Sequence, residues 1–278
     1  MAFAWNDEVR LYYEVQGQGT PVVLVMGLGG SGRAWGLQLP AFTRHHQVVL
    51  PDNRGAGHSD APPGPYDNAT LADDLAAVFD TAGLADAHVV GISLGGLIAR
   101  AFHHRYPHRV RSLTLAATGP VPGTPEHTPA EPAVQDVLHM DRHSHDVRTV
   151  TEHMNPVFYH PDYRARVPDL TERLLQFHER EPQPPHAYHA QLAAARTPLP
   201  EPTADTGTGT VPCLVLHGSD DRVWPPDNAR ALAEAIPGAR LEWIADAGHM
   251  LPMEKPRAFN RHVLEFVASV DAACGDDS

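Results

Sequence analysis

The six residues Gly91-Ile92-Ser93-Leu94-Gly95-Gly96 constrain this chain more than any other segment. They follow the apolar run from Ala87 to Val90. They precede a stretch in which Leu97, Ile98, Ala101 and Phe102 recur at helical spacing until Tyr106-Pro107. A strand, a sharp turn and a helix joined this tightly leave no room for side chains at Gly91 and Gly95, and they hold the intervening serine in a strained conformation. Ser93 then presents its hydroxyl at a helix N-terminus, where developing negative charge is stabilised. The competing reading is a serine that merely caps a helix or turn, and the rest of the chain has to decide between them.

A neutral serine hydroxyl is a weak nucleophile. It needs a base to take its proton and a third group to fix the tautomer and orientation of that base. Downstream, the strand-like Pro212 to Leu216 leads into His217-Gly218-Ser219-Asp220-Asp221-Arg222-Val223-Trp224-Pro225. Ile244-Ala245-Asp246-Ala247-Gly248-His249-Met250 follows later, so an acid and a histidine occur in order on loops after strands. An oxyanion also needs two preorganised backbone donors, one from the residue after the nucleophile and one from a loop after an early strand. Leu94 and Leu28 occupy those places. Leu28 lies where the aliphatic run Val22 to Val25 opens into Met26-Gly27-Leu28-Gly29-Gly30.

With these segments the chain resembles the α/β-hydrolase superfamily, whose members often carry Gly-x-x-Asp followed by proline after one late strand and Gly-His after the next. The resemblance implies Asp221 as the acid and His249 as the base. The spacing from Gly218 and to Pro225 favours Asp221 over Asp220, which is left as a solvated turn or helix-entry residue. Some members place the acid after an earlier strand, but here Val110 to Ala117 runs into Thr118-Gly119-Pro120 without a carboxylate. Met26-Gly27 departs from the His-Gly common in relatives. Asp52 to Asp60 matches a frequent superfamily loop, expected to be scaffolding with His58 near the pocket. Trp224, Met250 and Leu251 flank the acid and base and are expected to form an apolar pocket wall. Arg33 is expected to face solvent.

The resemblance covers roughly residues 20–118 and 211–268. It implies an α/β fold, a mostly parallel twisted sheet flanked by helices with an inserted helical cap. Hydrophobic periodicity agrees, with an edge strand over Glu8 to Val15 and further strands over 22–26, 47–50, 87–92, 110–117 and 241–244. Leu71, Leu75, Val78 and Phe79 form a helical stripe, with Thr70 and Asp73 as its capping pair and Gly83 as its stop. Phe259, Val263, Phe266 and Val270 line a final helix. Between Pro120 and Thr210 the pattern changes to a proline-rich start, helix-like pieces such as Leu170 to Glu179, and a Thr/Gly-rich exit. The expected organisation is a core over 1–119 and 211–270, a cap over 120–210 and a polar tail over 271–278.

At 278 residues with 42% hydrophobic content, the chain can bury a sizeable core. A formal charge of −13, from 21 basic and 34 acidic residues, argues against a nucleic-acid partner. Cys213 in a predicted buried strand and Cys274 in a polar tail do not make a disulfide framework, which fits a reducing cytoplasm. No segment has the pattern of a signal peptide or the length of a membrane span. His139, His143 and His145 lack a companion cysteine or a His-Glu-x-x-His arrangement, so no metal site is expected.

The function expected from these features is a cofactor-free serine hydrolase acting on a small, apolar carboxylic ester or lactone. Enol-lactone hydrolases, methyl esterases and cofactor-free haloperoxidases are the relatives that the resemblance suggests. Two alternatives remain open at this point, a carbon–carbon bond hydrolase or specialised biosynthetic enzyme using the same triad, and a ligand-binding module that keeps the fold without fast chemistry. Aspartate-nucleophile relatives are disfavoured because the elbow residue is Ser93. The oligomeric state is not legible in the sequence.

Overall fold

A computed structural model of the chain describes residues 2–202 and 211–276, the last three by backbone alone. The Thr/Gly-rich exit of the cap over 203–210 and the Cys274 side chain therefore lie outside the described residues. Eight strands form one sheet: β1 (Ala2–Asn6), β2 (Val9–Gln16), β3 (Thr20–Val25), β4 (His46–Pro51), β5 (Ala87–Ile92), β6 (Val110–Ala116), β7 (Cys213–Gly218) and β8 (Arg240–Ile244). Their spatial order is β1-β2-β4-β3-β5-β6-β7-β8. The β1/β2 and β2/β4 pairs are antiparallel and the remaining pairs are parallel.

The parallel centre is covered on both faces, as its continuous apolar strands require. Every residue of β5 is buried. On one face lie α2 (Asn68–Ala82) and α3 (Leu94–Arg105), where Phe79 and Phe102 meet with ring centroids 4.7 Å apart. On the other, α11 (Pro256–Asp276) buries Phe259, Val263 and Val267, and Trp35 packs on Phe259 at 5.7 Å. The short helices α1 (Leu39–Phe42), α9 (Asp227–Ala235) and α10 (Leu251–Glu254) complete the core. Between β6 and β7 lie α4 (Pro132–Leu138), α5 (Val147–Phe158), α6 (Pro161–Arg166), α7 (Leu170–Arg180) and α8 (Pro185–Ala194), which make the inserted helical region.

Three boundaries differ from the sequence reading. The Val9–Gln16 strand is not at the edge. A hairpin pairing Asn6 with Val9 brings β1 outside it, and the turn residue Asp7 adopts a φ of 51°. Helix α2 is capped by Asp67 rather than by Thr70, because the Asp67 carboxylate accepts the Thr70 amide at 2.6 Å. Its C-terminus is at Gly83, with a φ of 71°. The stretch expected as a tail from 271 continues α11 as far as Asp276. Among the described residues no helix is long and apolar enough to cross a membrane.

The loop after β4 ties the two ends of the fold's first half together. Asp52 Oδ1 accepts the Gly32 amide at 2.7 Å and Oδ2 accepts the His58 amide at 2.8 Å. Gly57, at a φ of 56°, passes so close that a Cβ would lie 2.2 Å from Asp52 Oδ2. Arg54 makes a buried ion pair with Asp74 of α2, which also accepts from Asn6 of β1 at 2.8 Å.

Burial, partly offset by the two amides, pushes the Asp52 carboxyl up to about 6. Between the ordinary aspartate value and about 6, the folded protein holds a proton that the unfolded chain has released. Stability from this group therefore falls as pH rises through that window. Asp52→Asn cannot titrate, so its destabilisation is expected to be greater at pH 5 than at pH 7.5 by about 1 kcal/mol. Urea unfolding of both proteins at the two pH values checks this, and equal losses would contradict it.

Candidate active site

Ser93 joins β5 to α3 at a φ of 56° and a ψ of −121°, a conformation that side-chain-bearing residues avoid. The surroundings enforce it. A Cβ on Gly91 would lie 2.1 Å from the Gly95 carbonyl oxygen, and one on Gly95 would lie 2.3 Å from that of Val25. The Ser93 amide donates to the Ala116 carbonyl at 2.9 Å, fixing the turn to the end of β6. The glycine loop after β3 lies directly against it, because a Cβ on Gly27 would stand 2.9 Å from Ser93 Cβ. Leu28, next to Gly27, and Leu94, next to Ser93, both line the same cavity as Ser93.

The loops after β7 and β8 bring the other two residues together. His249 Nδ1 lies 2.9 Å from Asp221 Oδ2, with both side chains buried. Asp221 Oδ1 accepts the amides of Val223 at 2.8 Å and Trp224 at 2.9 Å. Burial alone would raise the Asp221 carboxyl, but the neighbouring His249 and the hydrogen bonds hold it below the ordinary carboxylate value. Asp220 instead is exposed and hydrogen-bonds with Ser219, so Asp221 is the carboxylate that meets His249.

A second imidazole, His217, sits fully buried with Nε2 at 2.8 Å from the Trp224 carbonyl and 3.5 Å from Asp221 Oδ2. Burial moves its pKa down, against the opposing pull of the neighbouring Asp221.

Ser93 and His249 open on one cavity of about 520 Å³, roofed largely by residues of α5, α7 and α8. Trp224 and Met250 are on its wall. Leu251 is not. It is fully buried among Phe259 and other core residues, because α10 turns it inward. His58 is likewise away from the cavity, edge-on to Tyr12 at 5.1 Å and 3.6 Å from Glu181. Arg33 does not simply face solvent. It lines the cavity and pairs with Glu14 at 2.8 Å and with the buried Glu181 at 3.0 Å.

His139, His143 and His145 are held apart, His139 by Arg196 at 2.8 Å, His143 against the His189 ring, and His145 on the Asp141 carbonyl at 2.8 Å. Among the described residues no group of three or more His, Cys, Asp or Glu is arranged to hold a metal ion.

Two supporting residues escape sequence reasoning. Gln191 of α8 is fully buried, accepts the Gly29 amide at 2.9 Å and donates to the Arg54 carbonyl at 2.7 Å, so the cap grips the glycine loop. A lone glutamine in an alanine-rich helix gives no local sign of this. Glu254 accepts the Gly248 amide at 3.1 Å and the His160 amide at 2.9 Å, joining the histidine loop to the cap. Its place five residues after His249, just ahead of Pro256, is the only sequence cue. Phe158 adds an edge-to-face contact with the His249 ring at 5.2 Å.

The family model described as the alpha/beta hydrolase fold matches residues 20–256, which include the serine turn, both loops and the inserted helices. The chain belongs to the α/β-hydrolase family. It is 30% identical to a putative carbamate hydrolase of Azorhizobium caulinodans, over 98% of this chain and all of that protein. It is also 30% identical to the 2-hydroxy-6-oxo-2,4-heptadienoate hydrolase of Pseudomonas putida, over 92% of this chain and 91% of the other. Among solved structures, the enol-lactonase of Burkholderia xenovorans superposes with a TM-score of 0.81 at 28% identity, covering 96% of this chain and all of that one. These α/β-hydrolase relatives act on different bonds, so similarity fixes the family and not the substrate.

The contact from Gln191 makes a measurable claim. Gln191→Ala frees the Gly29 amide and one end of the glycine loop, and removing one such buried partner costs roughly 1–3 kcal/mol. Hydrolytic turnover is expected to fall about tenfold with a smaller change in KM, and steady-state kinetics on a p-nitrophenyl ester checks it. A pure rise in KM would place Gln191 in the substrate pocket instead.

Proposed function

We propose that this protein is a serine hydrolase that cleaves a carboxylic ester or lactone of a small molecule through an acyl-enzyme. The observation that carries the reading is the 2.9 Å contact of His249 Nδ1 with the buried Asp221, opening on the same cavity as Ser93. Ser93 Oγ attacks the carbonyl carbon while His249, through Nε2, takes its proton. Asp221 holds the ring with Nδ1 protonated and stabilises the imidazolium that forms. The amides of Leu28 and Leu94 receive the oxyanion, and the α3 N-terminus supports the same charge. Collapse expels the alcohol, which takes the proton from His249. Water, activated by the same histidine, then attacks the acyl group and restores Ser93. No step requires a metal or an organic cofactor.

A second reading rests on the similarity to the heptadienoate hydrolase. The same three side chains could serve hydrolysis of a carbon–carbon bond next to a ketone, with the leaving carbon taking the proton in place of an oxygen. A dienone substrate separates the two, since the ester reading expects p-nitrophenyl esters to be turned over far faster.

Ser93→Ala is expected to abolish multiple turnover of p-nitrophenyl acetate, butyrate and octanoate. Asp221→Asn should lower kcat by about 10⁴, because the amide would hold the imidazole in the wrong tautomer. Full activity of the Ser93→Ala protein on these esters would sink the mechanism.

A further inference from the structure

The protein carries a formal charge of −13, yet the cavity above Ser93 is lined by Arg33, Arg142, Arg173 and Arg196. Among the described residues no aspartate or glutamate lines it. Two of these arginines are neutralised from outside, Arg33 by Glu14 and Glu181, and Arg173 by Asp169 at 2.9 Å. Among the described residues the other two line the cavity without an ion pair to a carboxylate. Arg142, in the loop between α4 and α5, lies over the Tyr188 ring at 3.4 Å and reaches Met154 Sδ at 3.1 Å. Its Nε is buried without a hydrogen-bond partner. Arg196 donates to His139 Nε2 at 2.8 Å, an uncharged acceptor, and burial together with Arg196 moves the His139 pKa down.

A guanidinium offers five donors in a planar fork and is never deprotonated in a protein. Holding one over an aromatic ring in an apolar roof satisfies its face and leaves its edge for an anion. A wall for a wholly apolar substrate would be better served by leucine or methionine at 142.

We propose that the substrate carries a carboxylate on the part covered by the cap, and that Arg142 receives that group, with Arg196 lining the same cavity. This inference rests on the hydrolase reading above for the bond that is cleaved, and on the cavity alone for the charge. It would distinguish this enzyme from an esterase of neutral, fatty substrates, and it makes the cap a selector for acid-bearing esters or lactones.

The test compares charged and neutral partners. Mono-p-nitrophenyl glutarate and adipate place the carboxylate on the acyl side, and 4-acetoxybenzoate places it on the leaving group. Their neutral counterparts are the corresponding methyl esters and 4-acetoxybenzamide. The native protein is expected to prefer the charged member of at least one pair by about tenfold or more in kcat/KM, the scale of a hydrogen bond to a charged group. Arg142→Gln should lower that charged-to-neutral ratio about tenfold, mainly through KM of the charged ester, and Arg142→Lys should retain part of it. Ratios near one for every pair, or a ratio that Arg142→Gln leaves unmoved, would overturn the proposal.

Binding separates this outcome from failure of the hydrolase reading. Calorimetry on the Ser93→Ala protein should show monomethyl adipate binding more tightly than dimethyl adipate, with the difference lost on adding Arg142→Gln. Equal binding of the two would overturn the subsite even if ester turnover proves the chemistry.

Discussion

The approach of α3 to the ends of β3 and β5 is the constraint on which the site depends. With the Val25 carbonyl 2.3 Å from where a Gly95 Cβ would be, and the Gly95 carbonyl 2.1 Å from a Gly91 Cβ, the chain can turn only if both residues lack side chains. The strain then falls on Ser93, whose φ of 56° costs on the order of 1–3 kcal/mol. Burial of Leu97, Ile98 and Phe102 on the same helix offsets it, at roughly 1.5–3 kcal/mol each. The strained turn is thus held by the core behind it. The same closeness sets the glycine loop beside the serine, so nucleophile and candidate oxyanion donors share one structural cause.

The acid is held by a different economy of contacts. A carboxylate taken fully out of water costs several kcal/mol unless its oxygens are satisfied. Asp221 has two amides on one oxygen and His249 on the other, with His217 close by. Because these donors come from its own loop and from the loop after β8, ionised Asp221 fixes the position of one loop relative to the other. Glu254 repeats the device one layer out, its buried carboxylate binding the amide just before His249. The histidine is therefore located through its backbone as well as its ring.

What was legible in the sequence was what local chemistry dictates. Two glycines around a serine, and a Gly-His after a short strand, leave few backbone solutions, so the turn and the order of the loops could be read before any contact was known. The central parallel strands announced themselves through short apolar runs such as Val22 to Val25 and Val48 to Leu50. The Ala2–Asn6 strand did not, since it is short, lies at an edge and leaves Trp5 exposed, and its pairing depends on a turn at Asp7. Leu251 looked like a wall residue because of its neighbours in sequence, but one short helix after Met250 rotates it into the core. Gln191 and Glu181 were invisible for a deeper reason. Each acts across more than a hundred residues of chain, on Gly29 and Arg33, and no periodicity encodes such a pairing.

Those long-range contacts explain why chemistry and substrate separate in this fold. The core presents Ser93, Asp221 and His249 from strand ends, and their geometry owes nothing to the shape of what is cleaved. The cap meets the core around these residues at several polar points, among them Gln191 on the glycine loop, Glu181 on Arg33, the His160 amide on Glu254, and the Phe158 carbonyl on the Met250 amide of the histidine loop. Elsewhere it contributes pocket wall, and wall positions tolerate exchange as long as volume and polarity suit the ligand. Relatives named for carbamates, lactones or dienoates share this fold with the chain, so one core accommodates different substrates. Three of the four arginines that line the cavity, Arg142, Arg173 and Arg196, belong to this inserted part, whereas Arg33 comes from the core.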